Sequence, residues 1–246
     1  MRNRSAAPPR EPAPSAPPAA DAGRAGDRTR TRILDTAETL FAERGFAGVS
    51  IRNVADAANV NLAAVNYHFG GKERLFEAMF ARRAVPINEE RLSLLRHARD
   101  ASGGVLSMEV VVRAFVTPPL RQLDAPSGGA RVIAMMHFLS RAFSMPGERE
   151  FLSRYYGAVR QEFIAALQNC LPDLPLEDVL WRYNFMVGAL MFAMGGRRRM
   201  TRLPEDMANV VIPPPQRESD AAIEELTAFL LGGFASPSAM PEVGRD

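Results

Sequence analysis

The chain has one cysteine, one lysine and three histidines in 246 residues. A lone Cys170 cannot build an internal disulfide framework, which suits a reducing compartment and a cytoplasmic location. His68, His97 and His137 have no metal-ligand spacing among themselves or with Cys170. G-x-S-x-G, P-loop and dinucleotide-binding glycine runs are missing. The expectation is therefore a non-enzyme with no catalytic residue, no cofactor and no metal. The run Gly195-Gly196-Arg197-Arg198-Arg199 looks phosphate-friendly, but it follows a helical pattern rather than opening one. A helix cap followed by a solvated basic loop accounts for it. The longest apolar run, Phe185 to Met194, falls well short of the roughly 20 residues that span a bilayer. The first 28 residues lack the apolar core of a signal peptide. No period-2 alternation is long enough for a sheet, and no internal repeat is visible.

What is present is apolar helical periodicity. Hydrophobic residues make up 47% of the chain, enough for a sizeable core. The formal net charge is only +2, so the protein is not a bulk polycation. Its basic residues outnumber acidic ones up to about Arg83, and the remainder is mildly acidic, as suits a module that meets nucleic acid at one end. All basic side chains except Lys72 are arginines.

The segment Ile33–Phe80 carries a helix-turn-helix pattern. Ile33, Leu34, Ala37, Leu40 and Phe41 recur on one face of a first helix. Gly45 suits the left-handed residue that closes it. Ser50 is placed to cap a short second helix, and its hydroxyl is also a candidate phosphate contact. Asn59 stands at the tight turn, where Asn tolerates left-handed backbone better than other residues with a Cβ. Asn61 caps a third helix running through Asn66, Tyr67 and His68. Val65 and Phe69 are spaced to bury, while Leu62, Ala63 and Asn66 fall nearer the exposed side. His68 is expected to pack rather than to read sequence. A fourth helix opens at Lys72.

Gly45-Phe46, Ser50, Ala58-Asn59-Val60, Tyr67-His68-Phe69 and Lys72 in this order and spacing resemble the N-terminal domain of TetR-family transcriptional regulators. The resemblance implies an all-α protein whose third helix enters the major groove. Arg52 would reach guanine and Asn66 adenine, with Leu62 and Ala63 against base methyl groups. Tyr67 and Lys72 match family positions that contact phosphate. Ser50 and Asn61 complete the candidate DNA-binding set. The family commonly carries Ser, Asn or Asp where Gly71 stands.

The second half reads as helices over Lys72–Arg99 (bent near Pro86), Val105–Gln122, Ala130–Phe143, Glu148–Cys170, Leu176–Gly195 and Ser219–Leu231. Four stretches follow: a disordered Ala/Pro/Arg-rich tail over residues 1–28, a helix-turn-helix domain over 29–80, a ligand-binding and dimerisation domain over 81–233, and a flexible tail over 234–246. The run from Leu176 to Gly196, LEDVLWRYNFMVGALMFAMGG, more loosely resembles fatty-acid-responsive members. By that resemblance the protein is a homodimer on double-stranded DNA, a repressor released from a near-palindromic operator by a small apolar effector. A fatty acid or acyl thioester is expected, with Arg141 at its head group and Met135, Phe138, Trp181 and Phe185 along its chain. No membrane partner is expected. The competing reading is a helical adaptor binding a protein partner through a Met-rich surface.

Overall fold

A computed structural model of the chain describes residues 19–124, 148–195 and 219–238. Among the described residues there are eight helices and no strand: α1 Ala19–Arg44, α2 Ile51–Ala57, α3 Leu62–Phe69, α4 Lys72–Ala101, α5 Met108–Arg121, α6 Glu148–Cys170, α7 Leu176–Gly195 and α8 Ser219–Ala235. The expected helix over Ala130–Phe143 lies outside the described residues. No described helix is long and apolar enough to cross a membrane.

The first three helices form a small bundle on the N-terminal turns of α4. Ile33, Leu34, Ala37, Leu40 and Phe41 are all buried, as their spacing demands. Phe41, Phe46 and Phe76 meet with ring centroids 4.7–5.9 Å apart. One charged residue, Glu38, shares this buried face and is only 5% exposed. It accepts two hydrogen bonds from Arg83 of α4, Nε to Oε1 at 2.9 Å and Nη2 to Oε2 at 2.6 Å. Arg82 adds an ion pair with Asp35 at 2.7 Å. Two successive arginines of α4 therefore clamp α1.

Helix α4 continues into the second half. Pro86 lies inside it and faces solvent. Proline carries no N–H, so the Arg82 carbonyl loses its helical donor and the rod has one soft joint. Before that joint α4 grips α1. Beyond it, Asn88 donates to the Tyr155 carbonyl of α6 at 2.8 Å, and Arg91 donates from Nε to the Phe115 carbonyl of α5 at 2.8 Å. The second bond has a cause in the sequence of α5. Pro119 removes the donor that would otherwise serve the Phe115 carbonyl four residues earlier, and Arg91 takes its place.

Several boundaries differ from expectation. Helix α1 begins at Ala19, so residues 19–28, assigned to the tail, are helical; the alanines there are strong helix formers leading into the apolar face. Helix α5 starts at Met108 because Ser107 accepts the Val110 N–H and caps it. Helix α8 runs past Leu231 and buries Phe234. Its exposed carbonyl end is capped from α7: Arg182 donates to the Phe234 and Pro237 carbonyls at 2.7 and 3.0 Å. The start of the supposed C-terminal tail is thus tied down.

Candidate nucleic-acid interface

The helix-turn-helix is closed by local chemistry at each corner. Gly45 takes φ +67° and ends α1, its N–H donating to the Phe41 carbonyl at 3.0 Å. Ser50 and Asn53 form a reciprocal capping box. The Asn53 N–H donates to Ser50 Oγ at 3.1 Å and the Ser50 N–H donates to Asn53 Oδ1 at 2.9 Å. The Ser50 hydroxyl itself donates to Asn53 Oδ1 at 2.7 Å, so a phosphate must compete for that proton. Asn59 is the described non-glycine residue with positive φ, at 50°. It turns the chain between α2 and α3 as expected. Asn61 Oδ1 accepts the Ala63 N–H at 2.9 Å and caps α3.

These caps fix which face of α3 looks outward. Val65 and Phe69 are buried. Ala63, Asn66 and Tyr67 are exposed, Tyr67 at 86%, and Arg52 is exposed on the neighbouring α2. Leu62, expected on the outer side, is half-buried against the core, which leaves less of it for a base contact. His68 is half-buried, its ring 5.3 Å from Tyr67 and 6.2 Å from Phe69. The Lys72 ammonium sits 4.2 Å from the centre of the Phe46 ring. That cation–π seat holds the charge at the start of α4. Gly71 before it has φ +152°, a backbone that side-chain-bearing residues rarely adopt, which accounts for glycine where a polar cap is usual. An open cleft of about 500 Å³ lies beside this end of α3, lined by Arg30, Tyr67, His68, Arg74, Glu77 and Tyr155 among others.

The candidate effector residues divide differently. Met135, Phe138 and Arg141 lie outside the described residues. Trp181 and Phe185 do not enter the core of the protomer. They stand on the outer side of α7, 54% and 63% exposed, with ring centroids 5.8 Å apart. Phe192 on the same helix and Phe229 on α8 are also exposed. Met186 and Met194 are buried and Met191 is half-buried, so these methionines serve the core and give no Met-rich surface for a protein partner. Among the described residues no cluster of His, Cys, Asp and Glu has the makings of a metal site. The clamp at Glu38 and buried Arg91 leave no local signal, since each polar residue reads as one more position on an amphipathic helix.

Residues 33–79 match the family model described as "Bacterial regulatory proteins, tetR family", and residues 113–233 match "Tetracyclin repressor-like, C-terminal domain". The HTH-type transcriptional repressor KstR2 of Rhodococcus jostii is 41% identical over 109 residues, 44% of this chain and 50% of that protein. The probable HTH-type transcriptional regulator YttP of Bacillus subtilis is 43% identical over 49 residues, 20% of this chain and 24% of its own length. The matches thus span half of the first of these relatives and about a quarter of the second. Among solved structures, the fatty acid degradation regulator FadR from Bacillus halodurans aligns with a TM-score of 0.61 at 16% identity, covering 85% of this chain and 97% of that one. The ketosteroid transcriptional regulator KstR2 of Mycobacterium tuberculosis aligns at 0.56 and 17%, covering 83% and 93%. These two likenesses concern the fold. With one family model on the helix-turn-helix and another on most of the second half, the chain belongs to the TetR family of bacterial regulatory proteins.

Proposed function

We propose that the protein is a homodimeric transcriptional repressor that binds a near-palindromic operator and is released by a small apolar effector. The observation that carries the DNA-binding reading is the outward face of α3. Ala63, Asn66 and Tyr67 are exposed there, beside Arg52 and above the Lys72 charge. Asn66 pairs with adenine and Arg52 with guanine in the major groove, while Tyr67 and Lys72 hold phosphates. The aromatic face of α7 and α8, with Trp181, Phe185, Phe192 and Phe229, is the surface a second copy covers. Two reading heads at one fixed separation then meet both half-sites. An effector that prefers another separation lowers DNA affinity by linkage, and a coupling of about 1–3 kcal/mol changes it roughly 5–150-fold. An elongated acid such as a fatty acid or its acyl thioester is the effector class this reading favours, given the apolar character of the second half.

The test is a gel shift on the DNA immediately upstream of the protein's own coding region, repeated across salt concentrations. Arg52→Ala and Asn66→Ala should each relax base preference at a cost of about 1–3 kcal/mol. Lys72→Ala should weaken binding to every sequence and flatten the salt slope by about one. A Lys72→Ala protein with unchanged affinity and salt slope removes the phosphate role. A full-length protein that retains no DNA at low salt removes the regulator reading.

A further inference from the structure

Arg91 lies where α4, α5, α6 and α7 converge and is only 5% exposed. One face of its guanidinium stacks on Phe115, 4.0 Å from the ring centre. Nε is held by the Phe115 carbonyl and Nη1 donates to Asn88 Oδ1 at 3.1 Å. Nη2 donates no hydrogen bond to any described residue, and no described carboxylate pairs with this cation. Burial lowers the Arg91 pKa to about 10, which still leaves it charged at neutral pH. The two phenols nearest in charge terms, Tyr156 and Tyr183, are both pushed up by burial, Tyr156 to about 12. Each keeps its proton at neutral pH, so neither supplies the missing negative charge. Outside the described residues, 125–147 contain neither Asp nor Glu, and 196–218 contain Glu205, Asp206 and Glu218.

A buried cation with no anion among the described residues is costly, and buried charges in folded proteins are paired. The Phe115 carbonyl orphaned by Pro119 explains one edge of the guanidinium. It explains neither the full charge nor the open Nη2, since a neutral donor would serve the carbonyl as well. Around the charge the walls are aromatic: the Phe115 ring lies 5.1 Å from Phe163 and 5.7 Å from Tyr183.

We infer that Arg91 is the anchor for the carboxylate head of an apolar effector, with Nη2 pointing the donor that the carboxylate accepts. The inference rests on the effector-released repressor reading and names the chemical class of that effector. A single cation matches a monoanionic carboxylate better than a doubly charged phosphate. Because the guanidinium is already held at Nε, at Nη1 and on one face, little side-chain entropy is lost on binding. Arg91 also sits five residues beyond Pro86 on the helix that carries Lys72, so a carboxylate with its apolar body seated there touches the element that positions the reading head.

The experiment uses the full-length dimer and three matched pairs of acid and alcohol with bodies of increasing length: octanoate and octanol, decanoate and decanol, dodecanoate and dodecanol, each below its micelle concentration. Binding is read by thermal shift and by release of operator DNA. The wild type should prefer the acid of at least one pair by roughly ten- to a hundredfold, the range of a hydrogen bond to a charged group. Arg91→Gln retains a donor for the Phe115 carbonyl but no charge, and should fold and bind DNA while losing that preference. Arg91→Lys should keep part of it. A wild type that none of the acids stabilises, or that prefers acid and alcohol equally, overturns the assignment even if Arg91→Gln fails to fold. An Arg91→Gln protein that keeps the preference also overturns it. In each of these cases the repressor reading stands provided that the wild type still shifts its operator. Loss of the shift in the wild type without any effector is the separate failure of that reading.

Discussion

Removing Arg83 is the sharpest probe of how the reading head is fastened. Glu38 is 5% exposed, and its carboxylate takes both hydrogen bonds that Arg83 offers in a bidentate fork. Arg83→Met keeps the stem and deletes the charge, leaving a buried carboxylate in the α1 face. Breaking such a pair from one side costs about 3–5 kcal/mol. Arg82 Nη1 stands 3.9 Å from Glu38 Oε1 and recovers part of that by turning inward, so the expected loss is about 2–4 kcal/mol. Glu38→Met on its own leaves Arg83 able to reach solvent, its side chain being 20% exposed, and should cost less, about 1–2 kcal/mol. The double variant should be more stable than Arg83→Met alone, since two apolar side chains then meet across the α1–α4 contact. Urea unfolding at one fixed protein concentration gives all four corners of the cycle. If Arg83→Met costs less than about 0.5 kcal/mol, or if the two single losses simply add, the Arg83–Glu38 pair does not hold the contact and the clamp is misread.

Substitutions in two other places test separate parts of the architecture. Asn59→Gly should leave stability level or raise it slightly, whereas Asn59→Ala should lose about 1–2 kcal/mol at its left-handed backbone, read from the unfolding midpoint; equal midpoints for the two would contradict the assigned turn. Phe185→Ser combined with Phe229→Ser should preserve the helical circular-dichroism signal, because both side chains are exposed in the protomer, and should shift sedimentation at micromolar concentration from dimer toward monomer. A wild-type chain that already sediments as a monomer would end the dimer proposal.

The parts of this fold that could be read from sequence are those set by neighbours within four residues. Ile33 to Phe41 declare their buried face by spacing alone, and Gly45, Ser50, Asn59 and Asn61 act on backbone groups one to four positions away. Where a partner lies far along the chain, local pattern is blind. Glu38 meets Arg83 across 45 residues, and Arg91 meets the Phe115 carbonyl across 24. Local pattern ends α8 at Leu231, short of its end at Ala235, because its cap comes from Arg182, 52 residues upstream of Phe234. The same limit governs Trp181 and Phe185. Composition marks them as apolar and therefore as candidates for a ligand, while only packing reveals that they face outward.

The proline joint in α4 also has a mechanical reading. At a rise of about 1.5 Å per residue, roughly 21 Å of helix separates Lys72 from Pro86. A bend of about 9° at the joint therefore carries Lys72 sideways by about 3.4 Å, which is the rise of one base-pair step along a strand of duplex DNA. No helix needs to unfold, and no buried side chain of the α1 clamp needs to change partner, because Arg82 and Arg83 travel with the lever. The arm is long enough to turn an angular change smaller than the common scatter in helix-packing angles, about 15–20°, into a displacement of one full base pair.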